Sequence, residues 1–248
     1  MGGTRISTSP LIRKNKMTKK IEFISSTLEI WEKLPSPKPA KKYLAEWYKN
    51  SDNFIGGKKI YGENGLNKDL RLCAPFLDIM INGYILELSC DVVVEIDKSG
   101  RTFAWTQNPP PIIPRNPEMA KTLPRPAGHD NEMYAWNMSH GILTPPGYSS
   151  IITHPFNRFD LPFTTTSGVV ESDQYSMPGE VPFFFKSGFE GVLAAGTPII
   201  QVFPFKRDSW HSEKKPFNSK FNLQQLYSIR RNFYGAYKKL YWAKKKFD

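Results

Sequence analysis

The chain has 248 residues, 40% of them hydrophobic and 14% aromatic, enough to bury a core, so it is not a disordered tail. With 21 prolines, 17 glycines and a mean hydropathy of −0.46, the composition argues against a helical bundle, and no run approaches the ~20 uninterrupted apolar residues of a membrane span. The formal net charge of +11 is uneven: +7 over residues 1–70, −5 over 71–205 and +9 over 206–248.

In chain order, residues 1–20 are polar, basic and without periodicity, and predict a disordered tail in which Met17 could equally serve as the start. Residues 21–70 form an N-terminal extension. Residues 21–34 suit a strand or a short helix, and Tyr43, Leu44, Trp47 and Tyr48 recur at the spacing of a short amphipathic helix. Residues 76–88 and 92–96 are β-rich, and 102–105 continue the pattern after Ser99-Gly100. Residues 108–126 carry seven prolines and read as a polyproline-like surface loop. Short β runs then follow at 149–153, 167–170, 181–185 and 199–205, with Pro and Gly between them, which predicts a β barrel or sandwich.

The last segment, 207–248, differs again. Leu223, Leu226, Tyr227, Phe233, Tyr234, Tyr237, Leu240 and Tyr241 recur every three or four residues, and the polar side carries Arg230, Arg231, Lys238, Lys239 and Lys244 to Lys246. A basic amphipathic helix is expected, its aromatic face docked on the β body or on another subunit. The same stripe could instead meet nucleic acid, an acidic partner or an anionic membrane surface; solvated lysines on flanking helices explain the charge equally well.

Three ordered segments carry a family resemblance. They are Thr144-Pro145-Pro146-Gly147-Tyr148, then Ser167-Gly168-Val169-Val170-Glu171-Ser172-Asp173-Gln174-Tyr175, then Phe189-Glu190-Gly191-Val192-Leu193 with Gly196-Thr197-Pro198-Ile199-Ile200-Gln201-Val202. Together, over about residues 140–206, they resemble the dUTPase and dCTP deaminase superfamily. The resemblance implies a mainly β protein with a β-clip barrel over 71–206, assembled as a homo-oligomer, a trimer, with sites at subunit interfaces. On those terms Glu171 is the candidate catalytic carboxylate. Tyr148, Asn157, Arg158, Asp173, Tyr175 and Gln201 are candidate ligand contacts, and a bound nucleotide would bring Mg²⁺.

The family's Pro-Arg-Ser-Ser motif falls on His154-Pro155-Phe156-Asn157-Arg158, which has no serine, and the basic helix replaces its glycine-rich closing arm. Binding of a nucleotide-like ligand is therefore expected rather than turnover; an active member would be a nucleotide pyrophosphatase. The alternative is a viral structural or assembly protein that oligomerises through the barrel and uses its basic ends for partners or nucleic acid.

The whole chain also resembles an uncharacterised group of phage-encoded proteins, through Trp47-Tyr48-Lys49, Leu72-Cys73-Ala74-Pro75-Phe76, Gly83-Tyr84-Ile85, Pro126-Ala127-Gly128-His129-Asp130 and residues 154–158. That implies the cytoplasm of an infected host cell, or a virion. The N-terminus lacks a secretory apolar core, and Ile6 stands where a myristoylation signal needs Ser or Thr, so secretion is not expected.

Other constellations are weaker. His129, His140, His154 and His211 lack the spacing of a metal site and read as hydrogen-bonded loop histidines. Arg158 could pair with Asp160 to anchor a turn. Cys73 and Cys90 read as small, reduced core residues.

Overall fold

The structure, a computed structural model, describes residues 19–34, 36–62, 65–231 and 236–248. Most of the predicted tail and Met17 therefore lie outside the described residues, as do Phe233 and Tyr234 of the aromatic stripe.

The N-terminal extension runs β1 (Glu22–Ser25), α1 (Leu28–Lys33), β2 (Lys38–Pro39), α2 (Glu46–Asn50), β3 (Tyr61–Gly62) and β4 (Gly65–Leu66). Residues 21–34 are thus both a strand and a helix, separated where the Thr27 side chain caps α1 by accepting from the Ile30 N–H at 3.1 Å. Next come α3 (Ala74–Ile81), β5 (Tyr84–Glu87), β6 (Val92–Asp97), β7 (Gly100–Ala104) and β8 (Ile112–Pro114). The body continues with β9 (Tyr134–Asn137), β10 (His140–Leu143), β11 (Tyr148–Thr153), β12 (Phe163–Thr165) and β13 (Gly168–Val170). It closes with β14 (Glu180–Phe185), β15 (Gly191–Leu193) and β16 (Pro198–Lys206), before α4 (Ser219–Arg231) and α5 (Ala236–Leu240).

The fold is mainly β, with several antiparallel sheets. The largest has the strand order β13-β11-β16-β5-β2; beside it lie β12-β14-β9-β8, β15-β6-β7 and the pairs β1-β10 and β3-β4. Among the described residues the strands do not close into the expected barrel. Most are three to six residues long and interrupted by Pro and Gly, so each sheet ends at open edges.

One apolar core lies between the sheets. Trp136 of β9 is fully buried, stacked on Phe183 of β14 with ring centroids 3.7 Å apart and edge-on to Phe163 of β12 at 4.8 Å. Val92, Leu193, Ile200 and Val202 join this core. On β14, Val181, Phe183 and Phe185 face it by strand alternation, whereas Phe184 packs with Met133 on the opposite face.

Three sequence expectations are corrected. Residues 76–81, the first part of the run 76–88 expected as strand, belong to α3: Pro75 suits a first helical turn, and no glycine follows until Gly83. The Pro-rich loop contributes β8 to a sheet, where Ile112 is buried against Trp136. Cys73 is exposed at the start of α3, not in the core; Cys90 is half-buried.

The C-terminal segment is also not one docked helix. Residues 207–218 are irregular, and Leu223 and Leu226 of α4 stay exposed. Docking falls instead to the last residues. Trp242 Nε1 donates to Asp78 at 3.1 Å, and Phe247 packs against Tyr84 and Phe203. Among the described residues, no helix is long and apolar enough to cross a membrane.

Gly141 on β10 fixes how the hairpin after β13 returns. A Cβ there would lie 1.7 Å from the Ser176 carbonyl oxygen, which belongs to rigid backbone. Gly141→Ala is therefore expected to cost about 1–3 kcal/mol by overpacking, measured as a shift in the urea midpoint. An unchanged midpoint would show that the return of the hairpin yields freely.

Candidate functional site

The turn Pro145-Pro146-Gly147 precedes β11, and the hairpin 170–175 follows β13, the neighbour of β11. Their pairing puts Ser150 opposite Val170, so the turn and the hairpin meet at one end of the largest sheet. Gly147 takes φ +81°, the left-handed conformation that the turn requires. The hairpin is tightened by Glu171, whose carbonyl accepts from the N–H groups of Gln174 and Tyr175, both at 2.9 Å.

Arg207, one residue beyond β16, joins these elements. Its Nη1 donates to Glu171 Oε2 at 2.5 Å, to Asp173 Oδ1 at 2.8 Å and to Ser149 Oγ at 3.0 Å, and its Nη2 donates to Asp173 Oδ2. Ser149 Oγ donates to Glu171 Oε2 at 2.6 Å, and the Gly147 N–H donates to Asp173 Oδ2 at 2.8 Å. Below lies a buried hydroxyl network in which Ser172 Oγ is 2.8 Å from both Thr144 Oγ1 and Ser150 Oγ. Two carboxylates are thus bridged by one guanidinium, a charge-assisted arrangement with fixed geometry.

The Arg207 hydrogen bond, reinforced by the Gly147 N–H, holds the Asp173 carboxyl down to about 2. Unfolded, the same carboxyl titrates near ~3.9. The stabilisation is therefore complete above about pH 4 and is lost as pH falls from there towards 2. Arg207→Ala is expected to lower the melting temperature at pH 7 and to flatten the acid limb between about pH 4 and 2. Melting curves of both proteins across pH 2–7 check this; parallel limbs would rule out Arg207 as the cause.

The remaining predicted residues are used elsewhere in the fold. Gln201, on β16, is 1% exposed and lies opposite Thr153. That is four residues along β11 from Ser149, roughly 13 Å from the Glu171 cluster. Its Oε1 accepts from the Phe156 N–H at 2.9 Å, while Nε2 donates to the carbonyls of Ile79 at 3.1 Å and Asn82 at 2.6 Å. The expected ligand contact thus ties the end of α3 to the turn at residue 156.

Arg158 grips Asp160 with two donors, Nε at 2.9 Å and Nη2 at 2.8 Å, and its Nη1 reaches the Tyr43 carbonyl at 3.2 Å. Burial alone would raise the Asp160 carboxyl; the Arg158 hydrogen bond and charge outweigh it and lower it. Asn157 sits at φ +60°, so its part is to turn the chain. Of the predicted contacts, Tyr148, Glu171, Asp173 and Tyr175 share one end of the sheet, while Asn157, Arg158 and Gln201 lie at the other. Tyr175, whose N–H bonds the Glu171 carbonyl, is 57% exposed, and the Glu171 side chain is 53% exposed.

Arg207 was missed in sequence because its charge blends into the basic run of 206–248. The one available signal was its place directly after the strand that carries Gln201.

Among the described residues there is no group of three or more His, Cys, Asp and Glu side chains able to hold a metal. Arg207 already supplies the positive charge between Glu171 and Asp173, so these residues do not fit Mg²⁺. His129 and His154 are hydrogen-bonded through both ring nitrogens, as expected of loop histidines. His140 instead lies buried on β10, where burial lowers its pKa. Compared with models of protein families and with curated proteins, the sequence matches none.

Proposed function

We propose that this protein works by binding rather than turnover: a β-clip-like assembly module, of viral origin as its resemblance implies, whose basic arm at 206–248 contacts nucleic acid. The state of Gln201 carries the first half of this reading. Its amide makes three hydrogen bonds within the chain at 1% exposure, leaving no donor for a phosphate. Glu171, clamped by Arg207, is likewise held as an ion-pair partner rather than poised as a base. The β-clip assignment is supported by the adjacency of the three family-like segments along β13-β11-β16.

The arm supports the second half. Trp210 is 91% exposed, and Phe217 and Phe221 are exposed among Lys214, Lys215 and Lys220. Flat rings for stacking, interleaved with cations for phosphates, suit a single strand. A single-stranded oligonucleotide is expected to bind the full chain, with an affinity that falls as salt rises. Replacing all three lysines by Glu, and separately Trp210→Ala, are each expected to weaken it. The surface position of these residues makes folding of both variants readily checked by circular dichroism. No binding at low salt, or equal binding by both variants, would overturn the arm's assignment.

A second reading rests on a specific feature of the hairpin. Val169, Tyr175 and Met177 are all more than half exposed near the half-exposed Glu171. Such an apolar rim is what a neighbouring subunit of a homotrimer would cover, with a nucleotide-like ligand at the seam. Under this reading the protein sediments as a trimer. A deoxynucleotide at ~100 times its dissociation constant then adds about 2.7 kcal/mol of stability, seen as a melting shift that Glu171→Ala removes. A monomer with no shift for any nucleotide, with or without Mg²⁺, excludes it.

A further inference from the structure

A cavity of about 260 Å³ opens between α3 and the C-terminal segment. Its formation follows from α3 itself. Leu77 and Ile81, four residues apart, lie on one face of the helix, while Met80 is buried on the other side towards the body. The C-terminal segment covers the Leu77–Ile81 face incompletely, with Ile229, Tyr237 and Trp242 as the facing wall. Trp242 is held there by its hydrogen bond to Asp78.

The polar groups around this apolar slot are strongly biased. Among the described residues Asp78 is the only carboxylate lining it, and it is already paired with Lys245 and with Trp242 Nε1. Three cations, Lys68, Arg71 and Lys238, also line it. Arg71 is fixed, because its Nη1 donates to the carbonyls of Lys49, at 2.6 Å, and Ser51. Lys68 and Lys238 have no carboxylate partner among the described residues, and Lys238 Nζ lies 5.8 Å from the centroid of the Trp242 ring.

We propose that this cavity is a binding site for a small amphiphilic anion, an apolar body with a single anionic end, such as a medium-chain acyl carboxylate. Size and charge both point this way. At the ~30 Å³ that a water occupies in the liquid, the cavity holds about eight or nine heavy atoms. The apolar walls favour a chain or flat ring, and Lys68 and Lys238 favour one negative end. The proposal rests on α3, Lys68, Lys238 and Trp242, and the nucleic-acid test on Trp210, Lys214, Lys215 and Lys220, so the two fail separately.

The test is calorimetric titration of the full chain with octanoate, with octanol as the neutral control. Saturable one-to-one binding of octanoate is expected, at least about tenfold tighter than octanol. The surface double variant Lys68→Glu/Lys238→Glu, with an unchanged melting temperature, is expected to lose at least about tenfold in octanoate affinity. Phenylacetate, with the same number of heavy atoms as octanoate, distinguishes the two sources of this chemistry in a parallel titration: tighter binding than octanoate assigns an aromatic carboxylate, weaker binding an acyl chain. The proposal is overturned by any of three results. These are no saturable binding up to about 5 mM, equal affinity for octanol, and an unaffected charge-reversed variant. The comparison with octanol uses the unaltered protein and so decides the matter even where the variant misfolds.

Discussion

Gln201→Ala is expected to lower the unfolding free energy by about 3–5 kcal/mol, measured by urea denaturation at pH 7. The residue is a side-chain cap in the interior. Helix α3 ends at Ile81, so the Ile79 carbonyl is among the four that no later helical N–H can reach, and the Asn82 carbonyl follows directly. Gln201 Nε2 donates to both, while Oε1 takes up the Phe156 N–H. Removing the amide leaves two carbonyls and one N–H without partners. Each such buried group costs about 1–3 kcal/mol.

Gln201→Glu sharpens the test because the shape is nearly unchanged. Its carboxylate can still accept from Phe156 but cannot donate to either carbonyl, and burial disfavours the charged form. The loss at pH 7 should equal or exceed that of the alanine variant. Because burial raises the folded-state pKa of the new carboxyl, part of the loss should return as pH falls through that value. A Gln201→Ala protein destabilised by less than about 1 kcal/mol would refute the structural role and return Gln201 to the candidate ligand contacts.

Trp136→Ala has the other large expected effect, about 3–5 kcal/mol and towards the upper end. The ring is fully buried, stacked on Phe183 and edge-on to Phe163, and its Nε1 donates to Thr165 Oγ1 at 3.0 Å. Its removal opens a cavity at the junction of β8, β9, β12 and β14, where rigid strand backbones cannot collapse inward. Against a total stability of about 5–15 kcal/mol, such a loss threatens folding itself. Trp136→Phe keeps the stack and gives up mainly the N–H bond, so about 1–2 kcal/mol is expected. Equal losses for the two variants would show that the hydrogen bond, not the ring packing, dominates.

These two residues also separate what this fold needs from what its site does. Trp136 serves the core alone, through ring packing and its hydrogen bond to Thr165. Gln201, expected from the sequence to contact a ligand, serves α3 instead, and Arg207 turns the hairpin carboxylates into a clamp between sheet and turn. A site so tied to its own chain favours partners met through surface features: the arm, the hairpin rim and the cavity beside α3.

Much of the β body was legible along the chain. The runs at 149–153, 167–170, 181–185 and 199–205 all became strands, because β-branched and aromatic residues bounded by Pro and Gly act locally. Residues 74–81 were not legible in the same way: a short apolar run suits a buried strand and a helix equally, and tertiary packing decides. Charge could be counted but not paired. The pairing of Arg207 with Glu171 and Asp173, 36 and 34 residues earlier, exists only because β16 lies beside β11 and ends at the Pro-Pro-Gly turn. Likewise, the amide of Gln201 meets carbonyls 122 and 119 residues away. By itself the sequence determined the local backbone preferences and the basic arm, since those depend on neighbours a few positions apart. Which polar groups satisfy one another, and hence which remain free for a ligand, was decided only by the tertiary structure, because hydrogen bonds and ion pairs require contact in space.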